Sequence, residues 1–270
     1  MKIGKATVPK SAICTSDAHT IVVRGKDLSK DLIGQVSFVD HFFLLLVGRM
    51  PSAGETAVLN ATLVAIAEHG LVPSVQAARM TFAAAPDAMQ GAVAAGILGC
   101  GTVVLGASET AGRMYSEVDA RVQSGASVAD AALAVAREWR AAGKTIPGYG
   151  HPLHKERDER VGALFDVAKK AGTDLRFVAI AEAVEATLPE VLGKPLKLNV
   201  SGAIPAVLLG AGFPLAGLKG VPILARTAGL IAHLVEEIGE PIGFALSYQA
   251  TREMEYTGTV PDGFGGGGHA

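Results

Sequence analysis

Between residues 146 and 160 the chain reads IPGYGHPLHKERDER. Pro147, Gly148, Tyr149 and Gly150 do not suit a helix interior, so they deliver His151 to a loop or a helix start. Glycines let a ligand come close to the backbone. A helix beginning near His151 presents free N–H groups and the positive end of its dipole, which suits an anion. Lys155 and Arg160 add charge for a phosphate or carboxylate, and arginine can grip a carboxylate with two parallel donors. The plain alternative is a solvated charged turn, which composition alone favours. His151 and His154 form an H-x-x-H pair. Without Cys or carboxylate ligands nearby this is weak evidence for a metal, and none is expected.

Two further sites carry chemistry-bearing types. His69, in AEHG, sits at a helix end, where a histidine also interacts well with the dipole. Arg226 lies in LARTAGLIAHLVEE, a very apolar helix pattern, with His233 two turns on. There an arginine either finds an anion or snorkels to the surface.

The elements that must hold these residues are helical almost throughout. Ser37 caps a run that ends at Gly48 and Pro51. Residues 53–70 space their apolar side chains at helical intervals and stop at Gly70. Residues 72–86 start on Pro73 and Ser74, 87–125 is studded with glycine, and 127–144 is amphipathic between a serine cap and a glycine stop. Segments 160–172 and 175–193 read as helices, as do the apolar stretches after them. TIVVRG at 20–25 is the one good short-strand candidate. DGFGGGGHA reads as a flexible tail, 263–270.

Composition sets the limits. The chain has 270 residues, 49% hydrophobic but only 5% aromatic, with mean hydropathy +0.35. Rich in Ala and Gly, it suits closely packed helices better than a β-sandwich. A formal net charge of −2 leaves no electrostatic footprint for nucleic acid. The apolar runs read as too short to cross a bilayer, and no signal peptide is evident, so a cytoplasmic location is expected. Two cysteines, Cys14 and Cys100, imply no disulfide framework.

Taken together, five ordered segments resemble the citrate synthase family. VVRGKDLSKDLIGQVSFVDHFFLLLVGRMPS looks like its RGY…SFeEv.yLLl.GelPt region. AEHGLVPSVQAAR is similar to DHELNASTFAAR, and IPGYGHPLHKERDER to IPGFGHrvYk..DPR. LKLNVSGAIPAVLLGAG and LARTAGLIAHLVEE resemble YPNVDFYSGVLL and ARtvGWiAHwlEq. The resemblance implies an all-α fold. Its large helical domain would comprise 1–106 and 206–270, with a smaller domain, 107–205, inserted and carrying the CoA and substrate elements. It implies a homodimer whose domains close around acyl-CoA and di- or tricarboxylate ligands. It also supplies roles. His151 would face the reacting carbonyl or hydroxyl oxygen, and His69 would share its pocket. Arg160 and Arg226 would grip carboxylates. Pro147–Gly150, Asn199 and Lys197 would line the CoA site.

Three positions depart from the synthase pattern. Leu105 stands where the synthases have the histidine of GPLHGGA, which stabilises an enol. Ser201 stands in the slot of the NVD aspartate, the base that moves a proton at carbon; a serine hydroxyl is too weak a base without an activating partner. The C-terminal RP arginine is missing near Gly243–Ala245, and Arg252 is the candidate to replace it. The citryl-CoA lyase branch also lacks the GPLHGGA histidine. The expectation is therefore citryl-CoA lyase-like cleavage of a 3-hydroxyacyl-CoA into an acyl-CoA and a 2-oxo acid such as oxaloacetate. His151 and Ser201 would be the catalytic pair, with no cofactor beyond the CoA of the substrate. The rivals are a non-catalytic CoA and carboxylate binder, and a lyase or hydrolase for another acyl-CoA.

Overall fold

A computed structural model describes residues 9–101, 105–150 and 158–264. The tail expected over 263–270 lies largely outside them. A three-stranded antiparallel sheet opens the chain: β1 (Cys14–Ser16), β2 (Ile21–Val23) and β3 (Lys26–Asp27), in that order. Helices follow: α1 (Phe38–Val47), α2 (Ala53–Ala67), α3 (Pro73–Ala84), α4 (Met89–Leu98), α5 (Gly106–Gln123), α6 (Val128–Ala141), α7 (Glu159–Lys170), α8 (Arg176–Leu192), α9 (Val200–Gly210), α10 (Gly220–Gly239) and α11 (Gly243–Glu253). The fold is all-helical apart from the small sheet, as the residue pattern predicts.

The chain divides into two compact units. The first comprises 1–65 and 107–221, the second 66–106 and 222–270. In the first, local chemistry sets the helix ends. Ser37 Oγ accepts the Asp40 amide while Asp40 accepts the Ser37 amide, a reciprocal cap on α1, and Gly48 closes it at φ 86°. Val23, Leu32 and Leu44 form a small core beneath the sheet. Further along, α8 packs on both α6 and α9, and α7 packs on α9.

In the second unit Val75, Ala78 and Phe82 of α3 meet Ala92 of α4 and Leu230 and Leu234 of α10. Here α10 has a role the apolar-run reading did not anticipate. Leu215–Gly239 is long and apolar enough, by length and composition, to cross a membrane. Leu230 and Leu234 are fully buried in the unit's core, which accounts for the apolar stripe. Arg79 of α3 is buried as well, and its guanidinium meets Glu236, Glu237 and the Glu240 carbonyl. Glu237 also accepts the Ile242 and Gly243 amides at the start of α11. The Arg79–Glu237 pair thus ties three helices together.

Segment 87–125 holds two helices, α4 ending at Leu98 and α5 beginning at Gly106. At the other end, α9 starts at Val200, so the LNVSG stretch is the opening turn of a helix rather than a loop before it.

Candidate functional site

In the first unit the glycine loop and the start of α9 are built against each other. Gly150 N donates to the Lys197 carbonyl at 2.7 Å, and Asn199 N to the Gly148 carbonyl at 2.9 Å. Asn199 caps α9: its Oδ1 accepts the Ser201 amide at 2.9 Å and the Gly202 amide at 3.4 Å. Its Nδ2 donates to the Gly150 carbonyl at 2.7 Å. The Asn199 side chain is therefore occupied in joining loop to helix.

The glycines do this work too. Gly148 has φ 87°, and a Cβ there would sit 2.6 Å from Gly202 Cα. A Cβ on Gly202 would lie 2.7 Å from the Gly148 carbonyl oxygen. Close approach at Gly148 is thus to α9 itself, where the sequence suggested a ligand. Tyr149 points inward: its hydroxyl donates to the Ala181 carbonyl at 2.8 Å and pairs with the Tyr115 hydroxyl at 2.9 Å. Burial pushes the Tyr115 phenol far up, so that hydroxyl stays neutral at ordinary pH. What this tyrosine offers a ligand is backbone. Pro147 is half-buried beside it. Lys197 is exposed, with its ammonium 3.5 Å from Glu185.

Ser201 follows the cap in the first turn of α9, half-buried, and its hydroxyl has no hydrogen-bond partner among the described residues. No activating base among the described residues reaches it there. Leu105 is buried, as a leucine in a packed slot should be. Arg160 opens α7. Its Nε and Nη2 donate to Asp158 at 3.0 and 2.8 Å, and Nη1 reaches the Ala65 carbonyl at 3.4 Å. His151 and its neighbours 152–157, including His154 and Lys155, lie outside the described residues.

His69 and Arg226 belong to the second unit. His69 is exposed after α2, its amide held by Glu68 Oε1 at 2.7 Å. Glu68 Oε2 lies 3.0 Å from His233 Nε2. Burial raises the Glu68 carboxyl, but His233 and the His69 and Gly70 amides outweigh it and hold it below the usual range. Glu68, Gly70, Ala232, His233 and Glu236 line an open cleft. Arg226 is 5% exposed, and its Nε and Nη1 have no hydrogen-bond partner among the described residues. It does not snorkel. A buried, unsatisfied guanidinium of this kind calls for an anion.

Near the missing arginine, Gly243 is packed so that a Cβ would meet the Arg79 carbonyl at 2.7 Å. Arg252 is exposed, lying over the Tyr248 ring at 5.9 Å. Among the described residues no cluster of three or more His, Cys, Asp or Glu could hold a metal.

Sequence reasoning passed over Asp158, Glu68 and Tyr115, which hold the chosen residues rather than carry an evident motif. Asp158 was legible as the residue two before Arg160, a common capping position. The Tyr115–Tyr149 pair, 34 residues apart, was not.

Helical apart from its small sheet, the chain sets a glycine loop against a helix start and buries an arginine whose Nε and Nη1 find no partner among the described residues. Residues 13–242 match the family model described as citrate synthase, C-terminal domain, and the chain belongs to the citrate synthase family. The solved citryl-CoA lyase of Hydrogenobacter thermophilus superposes with a TM-score of 0.82 at 35% identity, covering 94% of this chain and 96% of that one. The citrate/2-methylcitrate synthase of Bacillus subtilis (strain 168) is 30% identical over 210 residues, 75% of this chain and 53% of its own. An ATP citrate lyase from Methanothrix soehngenii shares the fold, with a TM-score of 0.71 at 24% identity, over 88% of this chain and 40% of that one. The chain spans about half the length of the curated relatives it matches.

Proposed function

We propose that the chain is a citryl-CoA lyase-type enzyme, cleaving a citryl-CoA-like 3-hydroxyacyl-CoA into an acyl-CoA and a 2-oxo acid such as oxaloacetate. One observation carries this: likeness to the Hydrogenobacter thermophilus lyase runs over nearly the full length of both chains at 35% identity. Leu105, in the slot of the synthase histidine, agrees with it.

In the proposed reaction His151 takes the proton of the substrate hydroxyl as the carbonyl forms. The C–C bond to the thioester methylene breaks and its electron pair passes to that carbon. The resulting enolate then takes a proton, from Ser201 or a water it holds, giving the acyl-CoA. The step is redox-neutral and asks for no cofactor beyond the substrate's CoA. Arg160 and Arg226 hold carboxylates, and His69 serves in substrate binding. The loop 147–150, Lys197 and Asn199 form the CoA side, Tyr149 and Asn199 by shaping it. A cytoplasmic homodimer with an inserted small domain over 107–205 completes the proposal.

A second reading, a non-catalytic CoA and carboxylate binder, draws on Leu105 and Ser201 together, since both replace proton-handling groups of the synthases. The curated synthase relatives likewise keep condensation in view. Purified full chain with citryl-CoA, followed by release of oxaloacetate and acetyl-CoA, separates these. Release that is lost in His151→Ala and in Ser201→Ala supports the lyase. No release, with CoA still raising the melting temperature, favours the binder and sinks the lyase reading. Condensation of oxaloacetate with acetyl-CoA favours the synthase reaction.

A further inference from the structure

Asp158 joins two parts of the candidate site with one carboxylate. Oδ1 accepts from the Arg160 amide at 3.1 Å and from Arg160 Nε at 3.0 Å. Oδ2 accepts from Arg160 Nη2 at 2.8 Å and from the Val200 amide, at the start of α9, at 3.3 Å. The Asp158 side chain is 12% exposed against 32% for Arg160, so the carboxylate lies deeper than the cation it holds.

A guanidinium has five N–H donors on three nitrogens. Asp158 occupies the side edge, Nε with Nη2, in a bidentate grip. The Ala65 carbonyl engages one donor on Nη1. Among the described residues this leaves one donor on each terminal nitrogen for a second carboxylate.

We propose that Asp158 is a positioning residue, clamping the Arg160 guanidinium by its side edge so that the remaining donors are presented to a ligand carboxylate, while the same oxygen sets the first turn of α9 that carries Ser201. This rests on the reading of Arg160 as a carboxylate grip. Asp158 does not serve as the missing proton carrier. Burial raises its carboxyl, but the hydrogen bonds and charge of Arg160, with the Val200 amide, outweigh burial and keep it ionised below the usual range. A carboxylate so engaged is a poor proton donor at neutral pH.

The test uses the full chain and citrate as probe, in calorimetric titration of wild type, Asp158→Asn and Arg160→Lys. Asparagine keeps one acceptor oxygen for the Arg160 amide, so α7 keeps its cap, while α9 keeps its own cap in Asn199, and the melting temperature stays near wild type. Lysine keeps the charge but loses the two-edged fork. Both variants are expected to bind citrate roughly tenfold more weakly. With citryl-CoA, the KM of Asp158→Asn rises while kcat changes by less than about threefold. A well-folded Asp158→Asn that binds citrate as wild type does overturns the clamp. Wild type that binds citrate without cleaving citryl-CoA removes the lyase reading, and a weakened Asp158→Asn still supports the clamp. Wild type that binds no citrate overturns both.

Discussion

Arg226 is a buried cation whose Nε and Nη1 find no hydrogen-bond partner among the described residues. In the folded state without ligand that is a cost, because a desolvated charge is stabilised only by a partner. Removing the charge while keeping an unbranched apolar stem should relieve it. Arg226→Met is therefore expected to raise the ligand-free stability, by about 1–3 kcal/mol, and to abolish stabilisation by citrate. Thermal melts of both proteins with and without citrate check it; a destabilised Met variant would mean that the guanidinium is satisfied in the free protein. Arg226 was picked from the sequence because a guanidinium in an apolar helix pattern must be explained. Its burial, which separates an anion site from a snorkelling side chain, depends on what packs around α10 and has no signature in the pattern.

Most of the element boundaries were legible where a local interaction sets them. Ser37 and Gly48 bracket α1, Pro73 opens α3 and Ser127 caps α6, each through contacts a few residues apart. The start of α9 was missed because its cap, Asn199, is read correctly only when Gly148 and Gly150 supply the facing carbonyls. This junction yields a test. Gly148 and Gly143 both have positive φ, 87° and 70°, but only Gly148 has a neighbour where a Cβ would go. Gly143→Ala should cost about 1 kcal/mol, the left-handed backbone penalty alone. Gly148→Ala should cost about 2–3 kcal/mol, because α9 must also shift, and should weaken CoA binding. Denaturant unfolding of the pair measures the difference; equal costs would show that the loop and α9 do not press on each other.

At the scale of the whole molecule, stability should fall in acid partly through one group. Arg49 grips Glu55 through both terminal nitrogens, and although burial opposes it, the grip and the Ser52 contacts pull the Glu55 pKa from 4.5 to about 2. A carboxyl with a depressed folded pKa lends stability that is fully present above its unfolded value. That stability is lost as pH falls from about 4.5 towards about 2. Glu55→Gln should be less stable than wild type at pH 7, and the gap should close across that window. Unfolding midpoints at pH 7, 4 and 2.5 check it, and a gap independent of pH would assign the loss to packing instead.

The sequence by itself determined the helical class, the helix ends with local caps, the family resemblance and the residues that could hold anions. These rest on periodicity, capping and short motifs, which act over a few residues and so are written in order along the chain. Only the tertiary structure decided that Tyr149 turns inward, that Gly148 makes room for Gly202, that Arg226 is buried with Nε and Nη1 unpartnered among the described residues, and that Asp158 links Arg160 to α9. Each depends on atoms brought together from distant positions under close packing, and no local spacing encodes which of them will meet.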